Sequence, residues 1–312
     1  MGVFVFLPLV LPLTAWPVAR LAAQHLHPRA ATRLLTAVAG LMAVCSTVCL
    51  ALLMVVGTAQ LPGNPLPDGW SDPQVRAALP YDEVAGRAAI PALLAVAVAT
   101  VRTLLHHRRV RRRAHRALRG LPGAPVAVLA DPAPYAYALP GGAGERDRIV
   151  VSRGLLDRLQ PPERRALFAH ERAHLTARHH RYLLVTRLAA GANPFLRPLR
   201  TAVSYTTERW ADEEAARVVR DRPSVARAIG KAALLTRSTP APALANLAAT
   251  GPVPRRVAAL LAPPPLARTR PAPFTTAGLA LWCAGFGTTV SAASSASATV
   301  TLVGVLRAAT AW

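Results

Sequence analysis

Four stretches of the chain are apolar and nearly free of charge, and they frame everything between them. The first runs from Gly2 to Ala19 and contains Pro8, Pro12 and Pro17. The second runs from Leu34 to Gln60, the third from Ala88 to Val101, and the fourth from about Thr275 to Leu306. An uncharged apolar run of about 20 residues or more can cross a bilayer core, whereas shorter ones read equally as buried core helices. The third reaches spanning length if it extends to Leu105 and Arg102 snorkels. The first lacks the basic start of a signal peptide and carries prolines unusual for one, so a retained span is expected. The expected spans are therefore about 2–22, 34–60, 86–105 and the fourth within 274–312.

The pattern changes between the third and fourth stretches. Val126–Leu129, Tyr135–Leu139 and Ile149–Ser152 look like short strands, with a turn at Gly141-Gly142-Ala143-Gly144. Helical periodicity then begins near Pro162 and runs past His174. It returns from near Val203 to about Arg220, and from Pro223 to about Thr236. A proline-rich stretch over 238–265 holds one short helix around Arg255–Leu261. Residues 121–273 thus form a soluble α+β region long enough for its own core. The predicted fold is a mainly α membrane protein, four transmembrane helices with this domain between spans three and four.

Composition sharpens the picture. Of 312 residues, 52% are hydrophobic and 17% charged, with 37 basic and 15 acidic side chains and a formal net charge of +22. Disordered chains carry far less apolar surface, and disulfide scaffolds far more than three cysteines. The charges are also sorted. Arg20, Arg29 and Arg33 follow the first stretch without an acid, and a basic run, 106–120, follows the third. The loop 61–87 instead holds Asp68, Asp72, Asp82 and Glu83. The positive-inside rule then places the loop 61–87 outside, the region after span three in the cytoplasm, and both termini outside. The basic run reads as a stop-transfer flank that can also rest on anionic lipid, so direct nucleic-acid binding is not expected. Cys45, Cys49 and Cys283 fall in expected spans and read as small apolar residues.

The chemistry sits in His170-Glu171-Arg172-Ala173-His174. On a helix, positions i and i+4 share a face, so both imidazoles can reach one metal ion while Glu171 projects beside it. Zinc suits imidazole and carboxylate ligands with one position left open. Two surface histidines on a basic helix would give the same letters. For a third ligand, His180 has metzincin spacing, but Ala177 replaces the glycine of that pattern and no methionine follows the motif. His179 and His180 therefore read as surface or membrane-proximal residues. Glu208, in Glu208-Arg209-Trp210-Ala211-Asp212, is the other candidate, and Asp212 lies one turn further on the same face. Asp212 could orient a ligand histidine. An ordinary acidic patch remains the plain alternative, since Glu213 and Glu214 follow.

These two motif helices resemble the gluzincin pattern of HtpX-like and CAAX-processing membrane proteases and of BlaR/MecR-type sensor metallopeptidases. The last group is the closest in its three spans, gluzincin domain and fourth span. Ala192-Asn193-Pro194-Phe195 is similar to its Asn-Pro segment, and Tyr137-Ala138-Leu139-Pro140-Gly141 with Ile149-Val150-Val151 resembles its edge hairpin. The resemblance implies zinc held by His170, His174 and Glu208, Glu171 as general base and acid, and Asp212 behind a ligand. It also implies substrate along Tyr137 and Ala138. The sequence ends at Trp312, just past the fourth stretch, so the extracellular penicillin-binding sensor domain is expected to be absent. Charges around the motif, Glu163, Arg164, Arg165, Arg172 and Arg178, argue against a site inside hydrocarbon. Leu183–Leu196 is apolar enough for the membrane surface or for a core helix.

The expected function is a multi-pass cell-membrane zinc endopeptidase with a cytoplasmic site. It would cleave a cytoplasmic or membrane-proximal protein, with a winged-helix repressor or the chain itself as substrate by analogy. The alternative is a catalytically silent signal-transducing membrane protein with a structural zinc. Tyr205 and Arg217 are the candidates for stabilising an oxyanion.

Overall fold

The computed structural model describes residues 5–59, 82–121, 124–142, 144–236, 252–265 and 274–310, with a few single positions besides. Asp68 and Asp72 in the acidic loop, the turn residue Ala143 and most of the proline-rich stretch lie outside the described residues. The chain is mostly helical with one small sheet. Among the described residues three helices are long and apolar enough to cross a membrane: Pro28–Ala59, Val84–Ala117 and Leu281–Ala308. They belong to α3 (Pro28–Ala59), α4 (Asp82–Ala117) and α11 (Thr276–Thr310).

The first apolar stretch is helical but is not one uninterrupted α-helix. It forms α1 (Leu7–Val10), a 3-10 turn (Leu11–Thr14) and α2 (Ala15–His25). Prolines lack the N–H that an unbroken helix needs, and Pro8, Pro12 and Pro17 recur here within each turn or two. The third span and the basic run also join, since α4 continues without a break through Arg116. α3 and α4 touch at a glycine pair. A Cβ on Gly57 would lie 2.3 Å from the carbonyl carbon of Gly86, so only glycines allow this approach. The weakly hydrophobic middle of α11 packs by small residues: Ser291, Ser294 and Ser295 are buried, and Ser295 Oγ lies 3.5 Å from Cys49 Sγ on α3.

The sheet contains β1 (Val126–Leu129), β2 (Ala136–Leu139) and β3 (Arg148–Ser152), in the order β1-β3-β2. β1 runs parallel to β3, and β2 antiparallel with Tyr137 opposite Val150. β2 is therefore an edge strand. After a single helical turn, α5 (Arg153–Leu156), comes α6 (Pro161–Thr176). Prolines at its start and a capping box between Gln160 and Glu163 fix where α6 begins. It stops at Arg178, which takes a left-handed conformation at φ 54°. The chain reverses there into α7 (His179–Ala192), then a 3-10 turn (Pro194–Leu196) and α8 (Arg197–Val219). α9 (Arg222–Thr236) and α10 (Val253–Leu261) close the region.

The α7–α8 hairpin does not sit apart from the long helices. Ala189, Leu196, Leu199 and Val203 share one core with Leu35, Val38 and Met42 of α3, Val18 of α2 and Ala284 of α11. Asn193, at the hairpin tip, donates through Nδ2 to Ser46 Oγ (3.0 Å) and to the Leu9 carbonyl (3.2 Å). Ser46 lies near the middle of α3. The hairpin tip therefore reaches well down the helical bundle. Nearer the start of α3, the hydroxyls of Thr32 and Thr206 meet at 2.9 Å.

Candidate metal centre

α6 supplies His170, Glu171 and His174, and α8 crosses it with Glu208 and Asp212. The i, i+4 spacing turns both imidazoles to one side of α6. His170 Nε2 and His174 Nε2 lie 3.1 Å apart, and each is 3.5 Å from a Glu208 carboxylate oxygen. The three residues lie close enough to bind one metal ion. The separations also fit the ion chemically. Zinc bonds of about 2.1 Å in a tetrahedron give donor–donor edges of about 3.4 Å. The donor set, two imidazoles and a carboxylate, is one that zinc takes with a position left open.

The far sides of the two imidazoles are held too. His170 Nδ1 lies 3.1 Å from Asp212 Oδ1, in close contact although not aligned as a good hydrogen bond. Asp212 is fully buried. His174 Nδ1 meets His179 Nδ1 at 2.9 Å. A ring that offers Nε2 to a metal carries its proton on Nδ1, so His174 donates and His179 accepts. His179 is buried, 1% exposed, which corrects the expectation of a surface residue. The left-handed turn at Arg178 is what swings it back against the motif. His180, by contrast, is part-buried in the cleft wall.

Arg256 of α10 completes the cluster, and no pattern in the sequence pointed to it. Its Nη1 lies 2.9 Å from Glu208 Oε2, and it donates to both Asp212 oxygens at 2.6 and 2.8 Å. Burial alone would raise both carboxyls. Arg256 together with the neighbouring imidazoles outweighs burial and holds both below the ordinary carboxylate range. Glu171 has no such partner, and desolvation pushes its carboxyl up to about 7. For His174, burial wins and the imidazole is held neutral, with its pKa lowered to about 4.

A cleft of about 930 Å³ opens over these groups, bounded by β2, α6, α7 and α9. Ala136, Tyr137 and Ala138 line it, and the Ala138 N–H donates to the Glu171 carboxylate. The outer edge of β2 thus faces the site. One wall is basic, with His107, Arg111, His180, Arg187 and Arg200. Arg111 also donates to the carbonyls of Pro140 and Gly141, tying α4 to the end of β2. Two sequence candidates fall elsewhere. Arg217 is exposed and paired with Glu214, and Tyr205 lies under Arg255 rather than in the cleft wall.

Residues 102–190 match the model of peptidase family M48. The matched stretch holds the end of α4, the sheet and the His170–His174 motif, and stops before Glu208. M48 peptidases are zinc metalloproteases, and the match supports that class of activity here. No curated protein and no solved structure matches the chain.

Proposed function

We propose that the chain is a membrane-embedded zinc endopeptidase, with His170, His174 and Glu208 as ligands and Glu171 as the catalytic residue. The observation that carries this is the donor geometry: one ligand atom from each of three residues, all within 4.8 Å of one another, beside a buried carboxylate. When bound, zinc supplies Lewis acidity toward a carbonyl oxygen and lowers the pKa of water. Glu171 takes a proton from the attacking water and returns it to the leaving nitrogen. Asp212 and His179 hold the two imidazoles in the tautomers that ligation needs. A substrate strand lies along the outer edge of β2 at Tyr137 and Ala138, where the Ala138 N–H meets Glu171, which sets its carbonyl beside that carboxylate.

The catalytic face is cytoplasmic in this reading, because the basic run and Arg29 and Arg33 flank the spans on the same side. The finer likeness, to BlaR/MecR-type metallopeptidases with a repressor or the chain itself as substrate, rests on the order of spans and on Asn193-Pro194-Phe195. The test is Glu171→Gln in the purified full chain. Zinc content should stay near one per chain while cleavage of a casein or self substrate falls by about 10²–10⁴-fold. Unchanged cleavage would refute the role of Glu171. Unchanged signalling in cells with cleavage abolished would favour the silent alternative.

A further inference from the structure

A second cavity, of about 1040 Å³, lies against a different face of α6 from the cleft. Arg29 and Arg33 of α3, Arg165 and Arg172 of α6, Arg178 in the turn and Arg181 of α7 all border it. The six are exposed, and none forms an ion pair among the described residues. Glu214 is the one acid on the wall, and Arg217 already holds it. Like charges gathered in one concavity favour an anion bound among them.

The remaining wall is apolar and aromatic. Phe168, Tyr182, Val185 and Trp210 form it, and the Arg29 and Arg33 guanidiniums lie 5.6 and 5.7 Å from the Trp210 ring centre. Below Arg33 the same face of α3 continues outward as Ala37, Leu41 and Val44, all exposed at helical spacing. Val185 stands beside this stripe, next to Gly40. The layout is basic where α3 begins and apolar along its membrane-spanning length. A free phosphate or an acidic peptide would use the arginines and leave the apolar track empty.

We propose that this cavity binds the phosphate headgroup of an anionic phospholipid, with an acyl chain along Ala37, Leu41 and Val44. The guanidiniums of Arg29, Arg33, Arg172 and Arg181 contact the phosphate oxygens. Trp210 packs on His179 with ring centres 4.7 Å apart, so the lipid site and the metal centre share a wall. The proposal depends on the chain lying in a membrane and not on its being a peptidase.

The experiment is native mass spectrometry of the purified full chain with phosphatidylglycerol or phosphatidylcholine. Phosphatidylglycerol should be retained in preference. Arg29→Gln/Arg33→Gln should weaken its retention roughly tenfold or more, given what each arginine contributes near an anionic headgroup. Arg172→Gln/Arg181→Gln, on the opposite wall, should do the same and keeps the test open if the first pair misfolds. Arg108→Gln/Arg112→Gln, in the basic run and outside the cavity, should change retention less than about twofold. Equal retention of the two lipids, wild-type retention by folded cavity variants, or equal loss in the basic-run variant would overturn the proposal. Displacement of phosphatidylglycerol by millimolar inorganic phosphate would make this a free-anion site and also overturn it.

Discussion

Arg256 is the sharpest point at which to probe the candidate metal centre. Its guanidinium makes close contacts with Asp212 at 2.6 and 2.8 Å and with Glu208 at 2.9 Å, and all three side chains are buried. Arg256→Met keeps the side chain's bulk but leaves two carboxylates without their cation. Removing one partner of a buried ion pair costs about 3–5 kcal/mol. For a cooperative unit of about 150–250 residues, that lowers the melting temperature by about 6–20 °C. The assay is thermal unfolding of the full chain with chelator present, at one fixed scan rate because such unfolding is often irreversible. Zinc should recover much of the loss, since a divalent cation beside Glu208 replaces the missing charge. Glu208→Gln/Asp212→Asn/Arg256→Met should also recover stability in chelator, because nothing charged is then left unpaired. A chelated Arg256→Met protein melting within about 2 °C of wild type would refute the account of how these carboxylates are held.

Three further outcomes are expected. His179→Phe keeps a ring in place but removes the acceptor for His174. Zinc affinity by chelator competition should fall about 10–100-fold, and an unchanged affinity would remove His179 from the metal centre. Glu163 is held below its ordinary pKa against burial by the Gln160 N–H and Lys231. Its ionised form therefore stabilises the fold above the usual carboxylate range, and that contribution is lost as pH falls through the lowered value. Glu163→Gln should be less stable near neutrality and lose less on acidification, and parallel melting curves against pH would contradict this. Gly57→Leu must push α3 and α4 apart. A lowering of stability by about 1–3 kcal/mol is expected, and a neutral effect would mean that the helices do not meet there.

Much of the candidate metal centre was legible because its signals are local. The i, i+4 histidines and the prolines at the start of α6 each act within one or two turns. The strands were legible as short strand-like pieces beside a glycine-rich turn, to within a residue at their ends. What could not be read depends on distant partners or on backbone without a composition cue. His179 needs the left-handed turn at Arg178, a conformation that glycine or asparagine usually signals. Arg256 meets Asp212 across most of α9 and the proline-rich stretch, and no periodicity links them. The helix α7 was ambiguous for a physical reason. It packs against α3, α4 and α8, so its composition suits both a domain core and a membrane bundle. The prolines of the first stretch were visible, but not their effect, a change of helix type within it, nor that the Pro8 carbonyl would accept from Ser46.

The depth at which Asn193 is anchored bears on how the peptidase region can be handled as a fragment. Excising residues 121–273 would strip Leu196, Leu199 and Val203 of their partners on α2, α3 and α11 and leave an apolar prong in water. Asn193 would lose Ser46 and the Leu9 carbonyl, and Thr206 would lose Thr32, two residues before Glu208. The helix that carries Glu208 is built on the bundle, so an isolated fragment of this region should aggregate through that prong. Solubilising it would mean redesigning the hairpin tip rather than trimming the termini.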